Sequence, residues 1–157
     1  MSTKAPGQTS LSTLLSTLTL TLHPETYIFL SLTTSQFVAP FPIPLADIAL
    51  FFRESEGVTL VVPLPIAQKY GFDSDSDSDR VAYPCRMVTC NVQSSLEAVG
   101  FMAVLATRLA AKGISVNPVS GYYHDHLFVP LDRAEDSVLV LEEVAESARR
   151  EMEQGES

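Results

Sequence analysis

Apolar positions along this chain alternate between helical and extended spacing, and the breaks between them are set by proline, glycine and acidic runs. Leu11, Leu14, Leu15 and Leu18 fall at helical spacing behind Ser10, a candidate N-cap, and predict a short first helix. Thr19–Leu22 alternates and predicts a short strand. His23-Pro24-Glu25 is a turn, and Tyr27–Thr33 is a second strand. Pro40, Pro42 and Pro44 exclude a helix or a central strand, so 36–45 is an extended loop. Asp47–Arg53 and Val58–Val62 read as two strands around a Glu54-Ser55-Glu56-Gly57 turn, and Pro65–Tyr70 as a short helix. Ala82–Val92 is the next strand, with Val88, Cys90 and Val92 on one face. Gln93-Ser94-Ser95 then opens a long helix starting near Leu96 and closed by Gly113. Its core stripe is Val99, Met102, Ala103, Ala106, Leu109 and Ala110, which leaves Phe101 and Val104 on a second apolar face. Ile114–Ser120 and Asp125–Val129 are strands. The last helix follows Asp132, with Glu135 completing a capping box and Ala134, Val138, Leu141, Ala145 and Ala148 facing inward.

The run D-S-D-S-D-S-D at Asp73–Asp79 repels itself and buries nothing, so the domain boundary is placed there. The divisions are a flexible tail over 1–9, an N-terminal domain over 10–72, an acidic linker over 73–80, a C-terminal domain over 81–150 and a frayed tail over 151–157. A calcium loop of EF-hand type fails at this run, because Ser78 stands where glycine is needed and Pro84 where the bidentate glutamate is needed. The second half reads β-α-β-β-α and the first α-β-β-β-β-α. The second half has no evident last strand. Either the first half supplies it or the two halves exchange edge strands.

Composition narrows the function classes. A hydrophobic content of 46% over 157 residues suffices for a core. The net charge of −9 argues against a nucleic-acid or anionic-lipid surface. Cys85 and Cys90, five positions apart on one strand, lie on opposite faces about 16 Å apart and cannot pair with each other. Free thiols fit a reducing compartment, and a cytoplasmic location is expected. Residues 10–22 fail as a signal peptide, since Ser and Thr interrupt the apolar positions. No nucleophile elbow, P-loop, dinucleotide fingerprint or H-E-x-x-H occurs, so no enzyme and no cofactor is expected.

The segments SSLEAVGFMAVLATRLAAKGISVN and GYYHDHLFVP resemble the C-terminal half of a family of small proteins built from two ACT-like domains. FFRESEGVTLVVP at Phe51–Pro63 resembles the matching N-terminal element, and the resemblance covers most of Leu11–Glu146. The family is related to the regulatory domains of aspartokinases and to cytosolic arginine-sensor modules. The resemblance implies an α+β fold of two ferredoxin-like, βαββαβ-type domains with antiparallel sheets and helices on one face. It also implies a non-enzymatic regulatory module that binds a small ligand, an amino acid in the first instance, at the interdomain seam.

On that reading Ser94 and Ser95, at a helix start rich in free N–H groups, hold the ligand carboxylate. The plain alternative makes Ser95 an N-cap and nothing more. Gly100, one turn into the helix, allows close approach of a ligand or of a packed strand. Asn117 and the Gly121-Tyr122-Tyr123-His124-Asp125-His126 turn line the pocket, with Asp125 accepting backbone N–H groups in the structural alternative. Glu54 and Glu56 are candidates for the ligand ammonium, and Arg53 for a bidentate carboxylate contact. His124 and His126 share a face and could hold a metal in an alternative enzymatic reading, but no third ligand is near in sequence, and no metal is expected. A further alternative is a protein-interaction scaffold, as homodimer or regulated partner, contacting through Phe101 and Val104.

Overall fold

A computed structural model describes residues 5–36, 40–72 and 80–155. The elements run α1 (Leu11–Ser16), β1 (Leu20–Leu22), β2 (Tyr27–Thr33), β3 (Leu50–Arg53), β4 (Gly57–Pro63), α2 (Leu64–Lys69) and β5 (Val81–Cys90). They continue with α3 (Phe101–Ala111), β6 (Asn117–Ser120), β7 (Asp125–Pro130) and α4 (Ala134–Gly155). The chain divides into two units, one made of 24–85 and the other of 1–23 with 86–157. Strand β5 gives Val81–Cys85 to the first and Arg86–Cys90 to the second.

The unit of 24–85 forms because Ile28, Leu30 and Leu32 alternate on β2 and meet Val58, Leu60 and Val62 of β4. The β2–β4 pair is antiparallel from Tyr27↔Pro63 to Thr33↔Gly57, and β3 adds at the edge from Leu50↔Val61 to Arg53↔Val58. The first half of β5 pairs with β2, giving the strand order β3-β4-β2-β5. The register slips by one residue between Tyr27↔Cys85 and Phe29↔Ala82, where Tyr83 takes a φ of 60°. Ile43, Ala67 and Phe72 close the core.

In the other unit the order is β1-β5-β7-β6. Strand β6 meets β7 antiparallel from Asn117↔Phe128 to Ser120↔Asp125, and β1 meets β5 from Leu20↔Cys90 to Leu22↔Val88. Leu14 and Leu18 from the N-terminal segment, Phe101, Leu105 and Leu109 of α3, and Val140, Leu141, Val144 and Ala145 of α4 bury against Val88, Cys90, Leu127 and Val129 of the sheet. The unit is therefore β-α-β-β-α with its sixth element, β1, drawn from the N-terminal segment.

Several sequence expectations change here. Residues 10–23 do not group with 24–72. Leu14 and Leu18 are 1% and 2% exposed within the core of the unit containing 86–155, and β1 pairs with β5 there. Residues 5–9 are anchored, because the Gln8 N–H donates to the Gln93 carbonyl at 2.8 Å and the Ser95 N–H to the Gln8 carbonyl at 2.9 Å. Met1–Lys4 and the acidic run Asp73–Asp79 lie outside the described residues. Helix α4 runs through the expected frayed segment to Gly155, with Met152 beside Leu11, Leu15 and Ala148 along one groove.

Candidate functional site

The long helix begins at Phe101, five residues after the predicted start. Residues 93–100 are loop, because other bonds take their backbone and side chains. Ser95 Oγ accepts from the Glu97 N–H at 3.2 Å, and the Ala98 N–H donates to the Ser95 carbonyl at 2.9 Å, making a local turn. Leu96 and Val99 point outward, 56% and 84% exposed. Gly100 sits at the N-cap with φ 92°, a left-handed conformation that side chains resist, and not inside the helix. Ser94 and Ser95 thus precede the helix and do not open it, so its free N–H groups are not beside them. The buried stripe of α3 is Phe101, Leu105 and Leu109; Phe101 is 3% exposed and so offers no partner contact, and Val104 is half-buried.

The hairpin between β6 and β7 brings the second set of residues to this loop. The Gly121 N–H donates to the His124 carbonyl at 2.9 Å, closing a turn that presents Tyr122 and Tyr123 outward, 57% and 61% exposed, with their rings edge to face at 5.1 Å. A Cβ at Gly121 would lie 2.9 Å from the His124 carbonyl oxygen. Ser120 and Asp125 face each other across the hairpin, and the Ser120 hydroxyl donates to Asp125 Oδ1 at 2.6 Å. The Ser94 hydroxyl donates to Asp125 Oδ2. Asp125 is 6% exposed and Ser94 7%. The expectation that Asp125 takes backbone N–H groups in the turn gives way to two serine hydroxyls, one from a distant loop.

A cavity of about 90 Å³ opens at this point. Ser94, Ser95, Ser120 and Asp125 are its polar lining, and Leu96, Ala98, Phe101 and Met102 its apolar lining. No lysine, arginine or histidine lines it among the described residues. Asn117 lies outside it, exposed and paired with Phe128 at the far end of β6. Glu54 and Glu56 belong to the unit of 24–85. The Thr59 hydroxyl donates to Glu54 Oε1, and Glu56, exposed, titrates lower than usual mainly through a hydrogen bond with Ser55.

His126 is directed elsewhere. The Thr89 hydroxyl oxygen meets His126 Nδ1 at 2.9 Å and His23 Nε2 at 2.8 Å. Thr89 has one proton to give, so at least one of the two imidazoles donates to it. Burial holds the His126 imidazolium below its usual range, with the nearby His124 and His23 acting in the same direction and Asp125 opposing. Among the described residues no three His, Cys, Asp or Glu side chains gather to hold a metal ion. Sequence reading could not find the role of Thr89, which is an ordinary strand residue until folding brings its partners, His23 and His126, from 66 and 37 positions away. The described helices include none long and apolar enough to cross a membrane.

Residues 6–78 match the ACT domain family, and residues 80–148 match it a second time. A Vibrio cholerae protein of unknown function, described as a possible transport protein, is 34% identical, with 86% of this chain and 95% of that chain covered at a TM-score of 0.67. The ligand-free regulatory subunit of aspartate kinase from Thermus thermophilus is 11% identical, covering 83% of this chain and 98% of that one at a TM-score of 0.59, a likeness of fold. An Agrobacterium tumefaciens protein is similar in fold at 17% identity, 82% and 89% coverage and a TM-score of 0.58. No curated protein matches significantly. With both halves of the chain matched and the α+β architecture in place, the chain belongs to the ACT domain family, as a tandem of two such domains.

Proposed function

We propose that this protein is a non-catalytic regulatory module that binds a small amino acid in the cavity beside Asp125. The observation that carries the reading is a buried carboxylate, held by Ser94 and Ser120, in a cavity also lined by Leu96, Ala98, Phe101 and Met102. Small-ligand sites combine these two features, a mostly apolar lining and a few convergent polar groups. The fold likeness to a regulatory subunit of aspartate kinase supports a regulatory role. Ligand occupancy would act on a second copy or on a partner protein by favouring one conformation of the loop at Ser94–Gly100.

Catalysis has weak chemical support. Burial pushes the thiols of Cys85 and Cys90 up to about 12, which leaves neither as a ready nucleophile. Both are free, which suits the reducing cytoplasm. A thermal-shift screen of untagged protein against the amino acids at millimolar concentration tests the proposal, since any ligand of the folded state raises apparent stability. A rise with one or a few small amino acids is expected, and silence across the panel sinks the reading.

A further inference from the structure

The cavity also indicates which end of a ligand it holds, an inference that rests on the ligand-binding reading above. A carboxylate has about four acceptor sites. The hydroxyls of Ser94 and Ser120 take one on each oxygen of Asp125, which leaves acceptor capacity on both. Two neutral donors do not balance a negative charge that is only 6% exposed, and a buried charge without a counterion is unfavourable. The cavity walls supply no cation among the described residues. A ligand carboxylate entering here would meet like charge.

We infer that the ligand enters ammonium first, with its positive nitrogen against Asp125, and that a small primary amine with no carboxylate suffices for binding. The apolar lining suits a short alkyl group, packed on Phe101 and Met102. Size agrees with this. A dry cavity of about 150 Å³ admits benzene, and the present cavity of about 90 Å³ admits something smaller.

Calorimetry and thermal shift on the full untagged chain test the assignment. Glycine, alanine and serine report on the ligand-binding reading itself. Their amides keep the ammonium and lack the carboxylate; their N-acetyl derivatives keep the carboxylate and lack the ammonium. Binding of the amides with silence from the acetyl derivatives is the expected result, and Asp125→Asn should weaken the amides by about tenfold or more. If the amides bind and the free amino acids do not, the ammonium assignment holds and the ligand class moves to simple amines. Binding of any acetyl derivative overturns the assignment while leaving the ligand-binding reading intact. Silence from the whole set overturns both. An equal shift from potassium chloride at matched ionic strength overturns the ammonium in favour of a plain cation site. The wild-type series decides these outcomes even if Asp125→Asn fails to fold.

Discussion

Ser94 and Asp125, 31 positions apart, meet through a buried hydrogen bond that ties the loop after β5 to the start of β7. Ser94→Ala leaves Asp125 with the Ser120 hydroxyl as its remaining donor. A hydrogen bond to a charged group contributes about 1.5–3 kcal/mol. Ser94→Ala should therefore lower unfolding free energy by about 2 kcal/mol in urea, with Ser120→Ala costing less because Ser120 is exposed. Equal and negligible losses would show that the carboxylate is solvated.

A pH dependence follows from His126, which binds its proton less readily when folded than the usual 6.5, chiefly because of burial. Between its folded value and about 6.5 the unfolded chain binds more protons. The contribution to stability is thus fully present above about 6.5 and lost as pH falls through the folded value. Urea midpoints should drop between pH 7.5 and pH 5.5, and His126→Asn should flatten that drop. An unchanged slope in the variant would assign the drop to other groups.

Thr89→Val keeps the side-chain shape and removes the hydroxyl shared by His23 and His126. Two ring nitrogens then lose their partner, at about 1–3 kcal/mol. The nuclear magnetic resonance signals of both imidazoles should shift together in this variant. Movement of one alone would show that the shared hydroxyl does not couple them.

Leu18→Ala tests the placement of the N-terminal segment. Leu18 is 2% exposed in the core that includes Val88 and Leu127. Its truncation should cost about 2–5 kcal/mol and speed hydrogen exchange in β7 and α4. Faster exchange confined to β2 and β4 would instead place the segment with 24–85.

Much of the fold was legible because burial follows period. The run Tyr27–Thr33 behind the His23-Pro24-Glu25 turn identified β2, whose Ile28, Leu30 and Leu32 are buried, and the spacing of Leu11, Leu14, Leu15 and Leu18 identified α1. The start of α3 was not legible. Leu96 and Val99 extend the apolar pattern backwards, yet both face solvent, and Gly100 needs a left-handed turn that no periodicity reports. Asp125 and Ser94 were readable as polar residues near turns. Their union was not, since it depends on the β6–β7 register and on a loop that could be mistaken for helix. The pairing of β1 with β5 rather than with a neighbour in sequence is likewise a matter of which edge remains open.

That pairing sets an order of events during synthesis. Leu20 finds Cys90 and Thr21 finds Thr89 only after some seventy intervening residues have been made. The unit of 24–85 is complete before then, and domains form as they emerge from the ribosome. Leu14, Leu18, Leu20 and Leu22 meanwhile wait without their core, since Leu105, Leu127 and Leu141 lie far downstream. A segment made before the unit of 24–85 is placed only after it, and a nascent protein stalled near residue 85 would expose a leucine-rich segment suited to capture by a chaperone.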